Sequence, residues 1–166
     1  VLTSQQVGPK ILWLKNNRPE IYAKTAKIVN GTGFINFKLT GNYTIDHFSA
    51  AFLSPLYDIN KQNWSNELND GIIELEKLPN LVWTNEIVGK ITKSASDETG
   101  LAEGTIVTSG TIDAAAEAIS VGVIGPKDMM MMYGSTMFYI LVTDKILSDK
   151  RLWYSPWLFE GEHSSM

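Results

Sequence analysis

The chain contains no cysteine, and this removes a disulfide framework, thiol catalysis and thiolate metal sites together. It agrees with a reducing compartment, and the cytoplasm is the expected location. Histidine is nearly as scarce. His47 and His163 have no second histidine at ligand spacing, so no metal site built from protein side chains alone is expected. Basic runs are missing too: nothing is longer than Lys150-Arg151, and 14 Lys and Arg against 18 Asp and Glu give a net charge of −4. With no track for a phosphate backbone, nucleic acid is not an expected partner. The longest apolar stretch, residues 129–142, is broken by Tyr133-Gly134-Ser135-Thr136 and is too short to span a bilayer as a helix. A membrane is therefore not an expected partner either.

What is present is enough to fold. At 166 residues and 44% hydrophobic, the chain can bury a core of one domain or parts of two. It opens at Val1-Leu2 without an initiator methionine and closes at Ser164-Ser165-Met166, so a piece of a longer protein is expected.

The first half reads as helical. Gly8-Pro9 introduces Ile11, Leu12 and Leu14, and a second helix is expected from Pro19 through Tyr22, Ala26 and Val29 to a stop at Asn30-Gly31. A third enters through Thr32-Gly33 and leaves at Gly41-Asn42. Asp46 is the expected N-cap of a helix over 47–52, stopped before Pro55. Another short helical piece starts at Trp64-Ser65 and reaches Gly71.

After Leu78-Pro79-Asn80 the pattern changes to α/β. Residues 86–92 and 105–109 are β-branched strand sequence, with one or two helical turns over 94–99 closed by Gly100. Residues 129–133 and 137–143 read as two strands about a Gly134-Ser135-Thr136 turn. The four methionines 129–132 lie on the first of these, and core packing is the expected role rather than a thioether copper site.

The sharpest feature is Ser109-Gly110-Thr111-Ile112-Asp113 followed by Ala114-Ala115-Ala116-Glu117-Ala118-Ile119. A strand, a tight glycine turn and a strong helix-former place Asp113 where strand hands over to helix. There a carboxylate either favours the first helical turn through the dipole or sits at the carboxyl end of a strand, where α/β sheets bind ligands.

Several stretches together resemble the FGGY family of carbohydrate kinases, which includes xylulokinase, ribulokinase and glycerol kinase. They are Pro9-Lys10-Ile11-Leu12-Trp13-Leu14 running on to Arg18-Pro19-Glu20-Ile21-Tyr22, then Phe37-Lys38-Leu39-Thr40-Gly41 with Asp46, Ser49 and Ala50, and Tyr57-Asp58-Ile59 with Trp64. Leu78-Pro79, Glu86-Ile87-Val88-Gly89, Thr99-Gly100-Leu101 and Gly104-Thr105 follow in the family's order. Gly110-Thr111-Ile112-Asp113 and Tyr133-Gly134-Ser135-Thr136 close the series.

The resemblance implies a partial ribonuclease H-like, actin-like ATPase fold. Residues 1–128 would be the C-terminal part of the sugar-binding N-terminal domain, and residues 129–166 the start of the ATP-binding C-terminal domain. It implies an ATP- and Mg²⁺-dependent kinase of a sugar, a ketopentose such as xylulose or ribulose, or of a polyol. Asp113 would contact the sugar and act as catalytic base, and Gly134, Ser135 and Thr136 would form a loop for the ATP phosphates. Two positions depart from the family. Many relatives carry Asn or Gln after the catalytic Asp where this chain has Ala114, and Ser135 replaces the usual threonine. Gln5 and Gln6 fall near a sugar-facing position of some relatives, but neither is assigned. Residues 1–166 alone should be inactive, and truncated sheet edges leave homodimerisation open. The rival reading is a non-catalytic sugar- or nucleotide-binding protein with an actin-like fold.

Overall fold

The computed structural model describes residues 4–166. It is a mixed α/β structure. Helix α1 (Val7–Asn17) begins two residues before Pro9, which is tolerated because the first-turn N–H groups have no helical acceptor in any case. Helix α2 starts at Pro19 as expected but ends at Lys24 and not at Asn30. The reason is tertiary: Ile28 N–H donates to Lys77 O at 2.8 Å, and Lys27 Nζ reaches Glu76 O and Leu78 O, so residues 26–30 run out along another segment. Asn30 then caps α3 (Gly31–Thr40), accepting from Gly33 N–H, and Gly41 in a left-handed conformation ends it.

The helical reading of the first half misses a parallel ladder. Strand β1 (Thr44–Asp46) pairs with β4 (Asn80–Val82) in the register Thr44↔Asn80, Ile45↔Leu81 and Asp46↔Val82. Asp46 ends β1 and, through its side chain, caps the helix that follows at once, α4 (His47–Ala51). Between the two strands lie a small antiparallel pair, β2 (Tyr57–Asp58) and β3 (Asn63–Trp64), and α5 (Asn66–Asn69), capped by Ser65. Trp64 is therefore a strand residue, not the start of a helix.

From there the expected order holds. Strands β5 (Ile87–Lys90) and β6 (Ile106–Thr108) pair antiparallel with an irregularity between Ile87 and Gly89, and α6 (Lys93–Thr99) lies between them in sequence. Helix α7 spans Asp113–Ser120. Strands β7 (Met129–Tyr133) and β8 (Met137–Thr143) form the expected hairpin. Two further strands, β9 (Tyr154–Pro156) and β10 (His163–Ser165), extend it into an antiparallel sheet of order β7-β8-β10-β9.

One apolar cluster joins this sheet to the elements before it. Phe48 of α4 and Ala115 and Ala118 of α7 pack with Met130, Ile140, Val142 and Trp157. Residues on both sides of position 128 thus fill a common core. The methionine run does not pack as expected: Met130 is buried, but Met129, Met131 and Met132 are exposed. β7 is an edge strand with a single covered face, so only part of the run can reach the interior.

Candidate active site

The turn that carries Asp113 is fixed from several directions. The N–H groups of Ser109 and Gly110 donate to Glu86 O at 3.0 Å and Thr84 O at 3.2 Å, continuing the β5–β6 pairing. Gly110 lies at φ +66°, where a side chain would be strained. The buried Asn36 amide donates to Ser109 O at 2.9 Å from α3. Thr111 is held twice: its carbonyl accepts from Thr32 Oγ1 at 3.2 Å, and its hydroxyl donates to Asp46 Oδ2 at 2.9 Å. Ile112 is extended, and α7 begins at the next residue.

Asp113 is the first residue of α7 and is exposed. Its Oδ1 accepts the Ala114 N–H at 2.8 Å, while Oδ2 has no partner among the described residues. One oxygen orients the carboxylate and the other is open to accept a proton. Asp113 follows β6, which among the described residues pairs only with β5, antiparallel, so it does not follow a strand of the parallel ladder β1–β4.

The second expected site is the tip of the β7–β8 hairpin. Tyr133 pairs with Met137, and between them Gly134 N–H donates to Thr136 O at 3.0 Å. Gly134, Ser135 and Thr136 are exposed, and the two hydroxyls have no partner among the described residues. Gly134 does not adopt a left-handed conformation, and a Cβ there would meet only Thr136 O, at 3.8 Å. The hairpin itself therefore gives no reason for a glycine. Packing brings the two regions together only indirectly: Ile112, Ala114, Met130 and Ile140 belong to one apolar cluster, and no hydrogen bond links Asp113 to residues 134–136 among the described residues.

Sequence reasoning assigned Asp46 only as a helix cap. In the fold its side chain is 1% exposed and grips the Asp113 turn as well as α4. Burial raises its carboxyl pKa above the ordinary range, partly opposed by the hydrogen bonds from Ser49 and Thr111. No local pattern announces this contact, because it joins residues brought together only by the fold. Among the described residues, no three His, Cys, Asp or Glu side chains converge as a metal site, and no helix is long and apolar enough to cross a membrane. A cavity of about 600 Å³ is lined by Gln5, Gln6, Phe52, Ile59, Trp153 and Tyr154, none of them from the Asp113 or 134–136 turns.

Residues 1–120 match the family model described as the N-terminal domain of the FGGY family of carbohydrate kinases. The chain is 34% identical over 130 residues to a xylulose kinase of Lactococcus lactis, covering 77% of this chain and 26% of that protein. It is 27% identical over 142 residues to an autoinducer-2 kinase of Enterobacter, covering 85% of this chain and 27% of the relative. Its structure superposes on the crystal structure of a xylulose kinase from Rhodospirillum rubrum with a TM-score of 0.90 at 26% identity, covering 98% of this chain and 33% of that one. The chain spans about a quarter of the length of these curated relatives. The expected actin-like, ribonuclease H-like α/β architecture is that of these structural neighbours.

Proposed function

Because the chain belongs to the FGGY family of carbohydrate kinases, we propose that the protein it comes from transfers the γ-phosphate of ATP to a hydroxyl of a sugar. A ketopentose such as xylulose or ribulose, or a related polyol, is the substrate class. The observation that carries this reading is the Asp113 carboxylate, anchored through Oδ1 and open at Oδ2 at the start of α7.

Phosphoryl transfer to an alcohol needs a carboxylate within hydrogen-bond reach of the nucleophile and donors around the phosphates. Asp113 takes the first role, accepting the hydroxyl proton. Ser135 and Thr136 take the second, and the bare backbone at Gly134 lets an anion approach closely. These donors suit a phosphate chain. Mg²⁺ bound to the nucleotide would supply charge neutralisation between its phosphates.

In this reading residues 1–128 belong to the sugar-binding domain and residues 129–166 begin the ATP-binding one. The enzyme works in the cytoplasm, and residues 1–166 alone do not turn over. A second reading rests on Ala114, which offers the sugar no side-chain hydrogen bond: a non-catalytic protein that binds sugar or nucleotide on the same fold. Assaying the full-length protein with Mg·ATP against a panel of ketopentoses and polyols separates the two. Turnover of one of these supports the kinase, while sugar binding without transfer supports the second reading.

A further inference from the structure

We propose that Asp46 is a positioning residue for the Asp113 carboxylate, acting through the hydroxyl of Thr111. The inference rests on the kinase reading above and extends it to a residue outside the reacting groups. Its basis is geometric. Asp46 Oδ2 accepts from both Ser49 N–H, at 3.1 Å, and Thr111 Oγ1, at 2.9 Å, while Oδ1 is buried without a partner among the described residues.

Capping α4 does not by itself call for a carboxylate. Ser or Asn caps a helix equally well, and burying an ionisable group is costly. What the carboxylate adds is an acceptor with no proton of its own when ionised, so the Thr111 hydroxyl must be the donor and its rotamer is set. The Thr111 carbonyl is meanwhile held by Thr32 Oγ1 at the start of α3. The starts of two helices thus clamp one residue, and the chain has only the extended Ile112 between that clamp and Asp113. Among the described residues no hydrogen bond joins Asp46 to Asp113 itself, so Asp46 acts on the open Oδ2 only by fixing where it points.

The test uses the full-length protein carrying Thr111→Val, which keeps the shape and removes the donor, and Thr111→Ser, which restores the donor. Misplacement of a catalytic group by as little as an ångström can cost about a hundredfold, so Thr111→Val is expected to lower kcat about 30-fold. The KM values for sugar and ATP and the melting temperature should stay close to those of the parent. Thr111→Ser should return most of the lost kcat. In an Asp113→Asn background, Thr111→Val should add no further loss. Hydrogen exchange read on peptides covering residues 109–118 should be faster in Thr111→Val and restored in Thr111→Ser. An unchanged kcat in Thr111→Val overturns the proposal, as does a loss that follows the melting temperature and is not rescued by serine. If the parent phosphorylates no sugar, the kinase reading fails by itself. Exchange then decides the clamp alone: faster exchange in Thr111→Val upholds it, and unchanged exchange overturns it.

Discussion

The Asp113 carboxylate accepts the N–H of Ala114 through Oδ1 at 2.8 Å, so residue 114 contributes its backbone to the site and no polar side chain. Relatives that carry Asn or Gln there have a further hydrogen-bonding group beside this carboxylate. If the kinase reading holds, Ala114→Asn in the full-length protein should therefore change selectivity. The expected outcome is a shift of at least about fivefold in the ratio of kcat/KM between two sugars of the panel, since buried hydrogen-bonding groups discriminate more sharply than apolar ones. An unchanged ranking of sugars would show that position 114 does not face the substrate.

Gly134 has backbone angles open to any residue and room for a methyl group. Gly134→Ala should leave the melting temperature unchanged or slightly raised, because alanine restricts the unfolded chain. If phosphates approach this turn, the KM for ATP should nevertheless rise severalfold. Loss of stability together with unchanged ATP kinetics would contradict the assignment of the turn.

His47 Nδ1 lies 2.7 Å from Tyr57 Oη, and its ring packs on Trp83 with centroids 4.3 Å apart. Burial lowers its pKa below the ordinary 6.5, partly opposed by Glu86 and Glu160. The neutral ring therefore contributes stability that is complete above about pH 6.5 and is lost as pH falls toward the lowered value, with a slope of at most about 1.4 kcal/mol per pH unit. His163, also lowered by burial, acts in the same direction, whereas the raised pKa of Asp46 means that its burial costs less as pH falls. Urea unfolding at pH 7 and pH 5 should show a smaller acid loss in His47→Gln than in the parent. Equal losses would remove His47 from the account of acid sensitivity.

Trp157 is fully buried, meets Phe48 edge-on with centroids 5.4 Å apart, and donates through Nε1 to Ile124 O at 3.1 Å. It ties the last sheet to α4. Truncation to alanine should cost about 3–5 kcal/mol, as for other large-to-small core changes. A loss below about 1 kcal/mol in denaturant unfolding would mean that the sheet and α4 do not share a working core.

Local signals explain what could be read in advance. Gly41 closes α3, Gly100 closes α6, and the alanine run of α7 needs no tertiary support to be recognised, whereas Asn30 reads locally as the end of α2 and Thr92 as part of a strand, and only the fold shows each as a helix cap. The β7–β8 hairpin is also adjacent in sequence. The unread parts are non-local. β1 has three residues, too few for a period, and its partner β4 lies beyond the whole of β2, β3 and α5. The end of α2 was decided by Lys77, and the second role of Asp46 by Thr111. The turns that carry Asp113 and residues 134–136 could be located from their motifs, but the hydrogen bond from Thr111 to Asp46 beside the first of them could not.

Whether Asp113 accepts the substrate proton is decided by comparing the full-length protein with its Asp113→Asn variant, at saturating Mg·ATP, on the sugar the parent uses best. General-base catalysis is worth about 10²–10⁴ in rate, so kcat should fall by at least about a hundredfold while the melting temperature, and sugar binding measured without turnover, stay near those of the parent. A variant that keeps more than about a third of the parent kcat would contradict this, leaving Asp113 as a residue that starts a helix.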